Sequence, residues 1–173
     1  MPSPAANGAV VWITGLPSSG KSTLAERVRR RLIEAGIASC TLDGDAVRAA
    51  LVPSPGYTPE ARDAFYATLA GLAALLAGQG LVVIVPATAH RAVYRAEARR
   101  VAPRFVEVYV ATGPDECQRR DAKGLYAATG AGLAAGLPGA DLAYEPPDAP
   151  DVVASGGEDD EAPGQILAWL ARG

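Results

Sequence analysis

Several things are scarce in this sequence, and each scarcity closes a line of explanation. There are two cysteines, Cys40 and Cys117, in 173 residues. One lies beside an apolar strand-like run and the other in a helical stretch, so buried free thiols are expected rather than a disulfide. Positive charge is not in excess: 16 basic against 19 acidic residues leave a net charge of −3. That balance argues against a nucleic-acid partner held by charge alone. No apolar stretch approaches the roughly 18 residues that span a bilayer, so no membrane segment is expected. Residues 1–8 have neither the basic start nor the apolar middle of a secretion signal and read as a loose tail. The compartment read from these absences is cytoplasmic. Internal repeats are missing as well. What remains is a chain of one-domain length, 49% hydrophobic, with enough apolar material for one buried sheet over residues 9–173.

The most informative stretch is Gly15-Leu16-Pro17-Ser18-Ser19-Gly20-Lys21-Ser22, which fits the spacing G-x-x-x-x-G-K-[ST] of a phosphate-binding loop. Val10–Ile13 enters it as a buried strand would, and Ser22–Val28 leaves it as a helix would. In such a loop the backbone N–H groups wrap a phosphate and the helix dipole points its positive end at the same anion. Lys21 is placed to bridge the β- and γ-phosphates and the Ser22 hydroxyl to ligate Mg²⁺. Gly15, Ser18, Ser19, Gly20, Lys21, Ser22 and Thr23 are the expected contacts to a nucleotide donor.

Strand and helix patterns alternate along the rest of the chain. Strands are expected at Ala9–Thr14, Ser39–Leu42, Leu81–Val85, Phe105–Val110 and Val152–Ala154. Helices are expected at Lys21–Ala35, closed by Gly36, and at Ala46–Leu51. Further helices are expected at Pro59–Ala77 behind a Thr58 cap, at His90–Val101, from Pro114 through Arg120, and at Gln165–Ala171. Gly156–Glu161 reads as a solvated acidic turn. Between residues 121 and 150 the pattern is lost, which in a compact enzyme points to a lid or binding loop. The fold class is α/β: a three-layer, nucleotide-kinase-like phosphate-loop fold, its parallel sheet covered by helices on both faces.

The phosphate loop alone does not separate kinases from GTPases or ATPases. Asp43 and Asp45 narrow the choice, because they end the second strand, where open parallel sheets place their ligands. Carboxylates there can hold a Mg²⁺-bound water or take a proton from an attacking hydroxyl. As Asp-Gly-Asp they would also serve as a turn and helix cap. The third strand ends at Pro86 without an acidic residue, which leaves the pair more necessary. His90, the only histidine, reads as a helix-start residue at the edge of the site.

Six stretches then occur in one order: Gly15–Thr23, Leu42–Arg48, Gly56–Arg62, Phe105–Val110, Asp121–Tyr126 and Tyr144–Pro147. Together they resemble the adenylyl-sulfate kinase family along nearly the whole chain. The resemblance implies transfer of the ATP γ-phosphoryl group to the 3′-hydroxyl of adenylyl sulfate, with ATP and Mg²⁺ as cofactors, and often a homodimer. It implies that Lys21, Asp43 and Asp45 are catalytic and that Ser22 and Asp43 serve the metal. Arg48 and Arg62 match arginines that grip the sulfate–phosphate end of the acceptor. Tyr57 stands where the family stacks a phenylalanine on the acceptor adenine, and Arg120 and Lys123 match lid positions over the nucleotides.

The departures fall on the acceptor side. Phe65 and Ala67-Thr68 replace the family's asparagine and arginine. The third-strand exit reads Ala87-Thr88-Ala89-His90-Arg91, with Thr88 at the serine position, and the lid reads Ala135-Gly136-Leu137-Pro138-Gly139. One cation and one stacking ring are therefore missing. Two other readings remain open: a kinase of this fold for another small nucleotide-like or sugar-like acceptor, and a nucleotide-sensing module without catalysis.

Overall fold

The computed structural model describes residues 8–173; the tail expected at the N-terminus lies almost wholly outside them. Its centre is strand β1 (Ala9–Thr14), every residue of which is buried. Side chains on a strand point alternately to opposite faces, and β1 uses both. Ala9, Val11 and Ile13 pack with Leu24, Val28 and Leu32 of helix α1 (Lys21–Glu34) and with Ile166 of the last helix. Val10 and Trp12 pack on the other face with Phe65, Leu69 and Ala73 of a long helix, α3 (Pro59–Ala77). Two cores back to back leave the sheet dry on both sides, which is why its strands are continuous apolar runs.

The sheet has five parallel strands in the order β2-β3-β1-β4-β5. β2 is Ser39–Thr41, β3 is Val82–Pro86, β4 is Phe105–Val110 and β5 is Val152–Ala154. The remaining helices are α2 (Gly44–Ala50), α4 (Ala92–Val101), α5 (Pro114–Arg120), α6 (Leu125–Gly130) and α7 (Ala162–Leu170). All strands end on the same edge, so the loops after β1, β2 and β3 meet there, and that edge carries the site.

Local signals set most of the element ends. Thr58 accepts from the Ala61 N–H at 3.2 Å with Pro59 behind it, as expected of an N-cap followed by proline. Gly36, at φ 69°, follows α1 as the left-handed residue that lets the chain turn away. Three helices begin elsewhere than the sequence pattern predicts. α2 starts at Gly44 because Asp43 caps the Ala46 N–H at 3.0 Å. α4 starts at Ala92, not His90, and its first N–H is taken by the Glu145 carboxylate at 2.6 Å. α7 starts at Ala162, three residues early. There Asp159 accepts from the Ser155, Glu161 and Ala162 N–H groups and from the Ser155 hydroxyl, each at 2.9 Å. Those hydrogen bonds, first from the Ser155 and Ala162 backbone, hold the Asp159 carboxyl down at about 2. Asp159 of the acidic turn is thus a structural cap, while Glu158, Asp160 and Glu161 face solvent, the first two paired with Arg27. No helix among the described residues is long and apolar enough to cross a membrane. Both cysteines are free, with Cys117 buried and Cys40 half-buried.

Candidate active site

The phosphate loop turns from β1 into α1 with the backbone its spacing demands. Gly20 has φ 104°, and a Cβ there would lie 2.5 Å from the Gly157 backbone nitrogen. A Cβ on Gly157 would in turn meet the Gly20 carbonyl oxygen at 2.7 Å and Thr23 Cβ at 2.9 Å. Two glycines from opposite ends of the chain therefore touch backbone to backbone behind the loop. Thr112, just past β4, fastens the same place by donating its hydroxyl to the Ser19 carbonyl at 2.7 Å.

Lys21 Nζ donates to the carbonyls of Gly15 at 3.0 Å and Leu16 at 2.8 Å. Burial pushes its pKa down to about 8, with Lys123 adding repulsion against the nearby carboxylates. A cation partly stripped of water is primed to gain from an arriving polyanion. Ser22 and Thr23 line the cleft beside it, as do Ser18 and Gly20. Ser18 sits at φ 62° and accepts from the Ala122 N–H at 3.2 Å, tying the segment after α5 to the loop. Ser19 is placed differently: its side chain is wholly buried with an unpartnered hydroxyl, and its N–H is spent on Leu16 at 3.1 Å.

The cleft over this loop has a volume of about 600 Å³, and the acidic pair and the arginines expected from the sequence converge on it. Asp43, the cap of α2, and Asp45, in its first turn, line it just past β2, and Asp45 is ion-paired with Lys123. That pairing, with burial opposing it, holds Lys123 above its ordinary value. Arg120 lines the cleft while paired to Glu116 at 2.7 Å.

The part of the cleft that the resemblance leads one to expect for the acceptor is built from side chains stacked on one another. The Arg48 guanidinium lies 3.9 Å from the Phe65 ring centre and 4.4 Å from that of Tyr57, and donates to the Gly56 carbonyl at 2.8 Å. Cations over aromatic faces gain more as they lose water, and Arg48 is buried. Arg62 donates to the Tyr57 carbonyl at 3.0 Å and to the Gly136 carbonyl at 2.6 Å, reaching the segment expected to be a lid. Asp141 holds that segment from the other side, accepting from the Gly136 and Leu137 N–H groups at 2.7 Å each. Tyr57 is 63% exposed, so its ring is open to the cleft as well as to the arginines. Thr88 lines the cleft from the exit of β3, its carbonyl taking the Thr14 hydroxyl at 2.6 Å.

Phe65, Asp141, Thr112 and Gly157 were not singled out as functional by sequence reasoning. Phe65 appeared there only as a lost asparagine, whereas here it is the floor under Arg48. Gly157 carried a signal in its Gly-Gly pair, but nothing local says which distant backbone it must admit.

An anion-binding loop, a pair of carboxylates and two arginines facing one another over a single opening define a class, the phosphate-loop kinases. Comparison with known proteins narrows it. The profile of the family described as Adenylylsulphate kinase matches residues 7–155. The adenylyl-sulfate kinase of Paraburkholderia xenovorans is 44% identical over 150 residues, 86% of this chain and 84% of that protein. The Mycobacterium tuberculosis APS kinase CysC, solved with AMPPNP and APS, superposes with a TM-score of 0.88 at 38% identity, covering 96% of this chain and 99% of that one. A hexameric APS kinase from Thiobacillus denitrificans superposes with a TM-score of 0.69 at 28% identity, over 99% of this chain and 30% of that one. The chain belongs to the adenylylsulphate kinase family.

Proposed function

We propose that this protein moves the γ-phosphoryl group of ATP to the 3′-hydroxyl of adenylyl sulfate, giving 3′-phosphoadenylyl sulfate. The observation that carries the reading is the convergence of Lys21, Asp43, Asp45, Arg48 and Arg62 on one cleft, in a chain of this family. Phosphoryl transfer needs little covalent help from a protein; it needs charge held in place and reactants aligned. The loop N–H groups and Lys21 hold the donor phosphates, and Arg120 and Lys123 close over them. Arg48 and Arg62 take the anionic end of the acceptor, while Tyr57 offers a face to its base. The acidic pair supplies the proton acceptor for the attacking hydroxyl. Lys123 must leave Asp45 before that carboxylate is free to serve.

Ser22 and Asp43 fit Mg²⁺. They are hard oxygen donors that share a second recess of about 280 Å³ beside the cleft. Magnesium asks for one or two protein oxygens and keeps its remaining positions for water and phosphate. When bound it neutralises developing charge between the β- and γ-phosphates. No cluster of three His, Cys, Asp or Glu residues able to cage a metal occurs among the described residues, and this metal does not call for one.

Phe65, Ala135 and Leu137 favour one competing reading, a different small hydroxyl acceptor. A coupled assay of ADP release with Mg·ATP, with and without adenylyl sulfate, decides between them. Acceptor-dependent turnover supports the proposal. ATP binding without turnover on adenylyl sulfate overturns it in favour of the other acceptor. Light scattering of the same sample tests the homodimer that the resemblance implies.

A further inference from the structure

Arg95 of α4 is 98% buried and takes no part in the cleft. Its Nε donates to Glu107 Oε1 of β4 at 2.9 Å, a pair that satisfies its charge. A helix packing on a strand does not require a buried ion pair, and an apolar pair of the same volume would serve equally well. The guanidinium has a further use. Nη1 donates to the Ala89 carbonyl at 2.5 Å and Nη2 to the Glu145 carbonyl at 2.6 Å. These carbonyls belong to two irregular segments, and Ala89 is held at φ 43°, which costs energy for a residue with a Cβ.

The two segments are bolted together around the same point. The Glu145 N–H donates to the His90 carbonyl at 2.8 Å, and its carboxylate caps the Ala92 N–H. Tyr144 Oη lies 2.9 Å from Thr14 Oγ1. The single Thr14 hydroxyl proton goes to the Thr88 carbonyl, so Tyr144 is the donor in that contact. Burial pushes the Tyr144 phenol up to about 12, so it keeps that proton at any working pH. One segment presents Thr88 to the cleft. The other anchors the far end of the stretch whose residues 134–138 also line the cleft.

We infer that Arg95 is a positioning residue for the acceptor: through the Ala89 and Glu145 carbonyls it fixes the spacing between the Thr88 turn and the 134–138 wall. The inference rests on the proposed reaction for its kinetic consequence but not for its structural one. Three donors in a fixed fork are needed, so lysine cannot replace it.

The test uses Arg95→Lys, and Tyr144→Phe as a milder variant that deletes one hydroxyl and leaves the ion pair alone. Arg95→Lys should raise the KM for adenylyl sulfate about 10- to 100-fold, the cost of a misplaced wall. The KM for ATP should stay within about twofold, since this interaction serves one substrate only. Tyr144→Phe should move the same parameter in the same direction by a smaller factor, and it carries the test if Arg95→Lys does not fold. Hydrogen exchange on the same proteins should quicken at residues 88–90 and 134–138 while α1 is unchanged. Equal changes in both KM values, or unchanged exchange at those two segments, overturn the inference. If the wild-type protein ignores adenylyl sulfate the functional reading fails, and the exchange result then decides the role of Arg95 by itself.

Discussion

The two sides of the cleft, the ones proposed for donor and for acceptor, are built by different means. The phosphate loop is a continuous stretch of chain, shaped by its own backbone and closed from behind by the Gly20–Gly157 contact and the Thr112 hydroxyl. The acceptor wall has no such continuity. It is gathered from α2, the segment before α3, α3 itself, the β3 exit and residues 134–138, and joined by side chains reaching to carbonyls. Backbone geometry written in one motif tolerates little variation, because each residue is needed where it is. An assembled wall can lose a ring or a cation and still stand, and this chain has Leu137 and Ala135 where the family resemblance leads one to expect both.

That contrast can be broken most sharply at Lys21. Lys21→Ala should lower turnover by about 1,000-fold or more, the scale on which a positioned charge stabilises a transferring phosphoryl group. Its thermal unfolding near pH 7 should come at or slightly above the wild-type temperature, because the side chain serves the loop and not either core and its loss relieves a buried charge. A folded variant with near-normal turnover would mean that the donor side is not the loop described here.

Next come the two carboxylates, which differ in what else they hold. Asp43→Ala and Asp45→Ala should each reduce kcat by about 100-fold or more if the pair takes the proton. Asp43→Ala should also cost about 1 kcal/mol of stability through the lost cap on α2, and added Mg²⁺ should restore part of its activity. Asp45→Ala releases only an exposed ion pair with Lys123 and should leave the melting temperature unchanged. Full activity in both would reduce the pair to a turn.

On the acceptor side the expected change is a gain. Leu137→Phe with Ala135→Lys should tighten adenylyl sulfate by about 1–3 kcal/mol for the restored ring alone. Leu137 already packs on Leu16, Cys117 and Tyr126, so the larger ring has to extend into the cleft to act. Calorimetric titration with and without ATP reads this directly. No change in the acceptor affinity would show that the wall does not reach the ligand.

Gly157→Ala separates the sides again. The added methyl should cost about 1–3 kcal/mol by overpacking. It should raise the KM for ATP while leaving that for the acceptor alone; the reverse pattern would refute the division.

The smallest effect is that of pH. With Lys21 brought down to about 8 by burial, the free enzyme loses that charge above pH 8, and kcat/KM for ATP should fall there. kcat should hold to higher pH, because a bound triphosphate draws the proton back. Stability moves the other way. The unfolded chain keeps its lysine proton up to the ordinary 10.5, so the cost of burying the charge is present below pH 8 and is relieved between 8 and 10.5. A kcat/KM profile that stays flat across that window would contradict the burial of Lys21.

What the sequence made legible follows the same division. β1, the loop and the Thr58-Pro59 start of α3 were readable because their causes lie within a few residues. The starts of α4 and α7 were not. Glu145 caps α4 from 53 residues away, and Asp159 had the look of one more solvated acid in an acidic run. The expected helix start at His90 failed because Arg91 is extended and the His90 carbonyl accepts the Glu145 N–H instead. Arg95 was invisible for the opposite reason: an arginine in a basic helix gives no local sign that it is buried. The acidic pair was read both as chemistry and as a cap, and Asp43 does cap.

The Gly20–Gly157 contact also bears on the order in which the molecule becomes competent. The strand, loop and first helix are synthesised before the backbone that closes the loop from behind, since Gly157 follows Gly20 by 137 residues. A nascent chain that has grown only through β4 holds the whole phosphate motif with its back open. Nucleotide that binds only the finished loop then favours the closed arrangement by mass action and draws the later-made Gly157 segment into place. Donor nucleotide would then help to close the back of its own loop before it is ever a substrate.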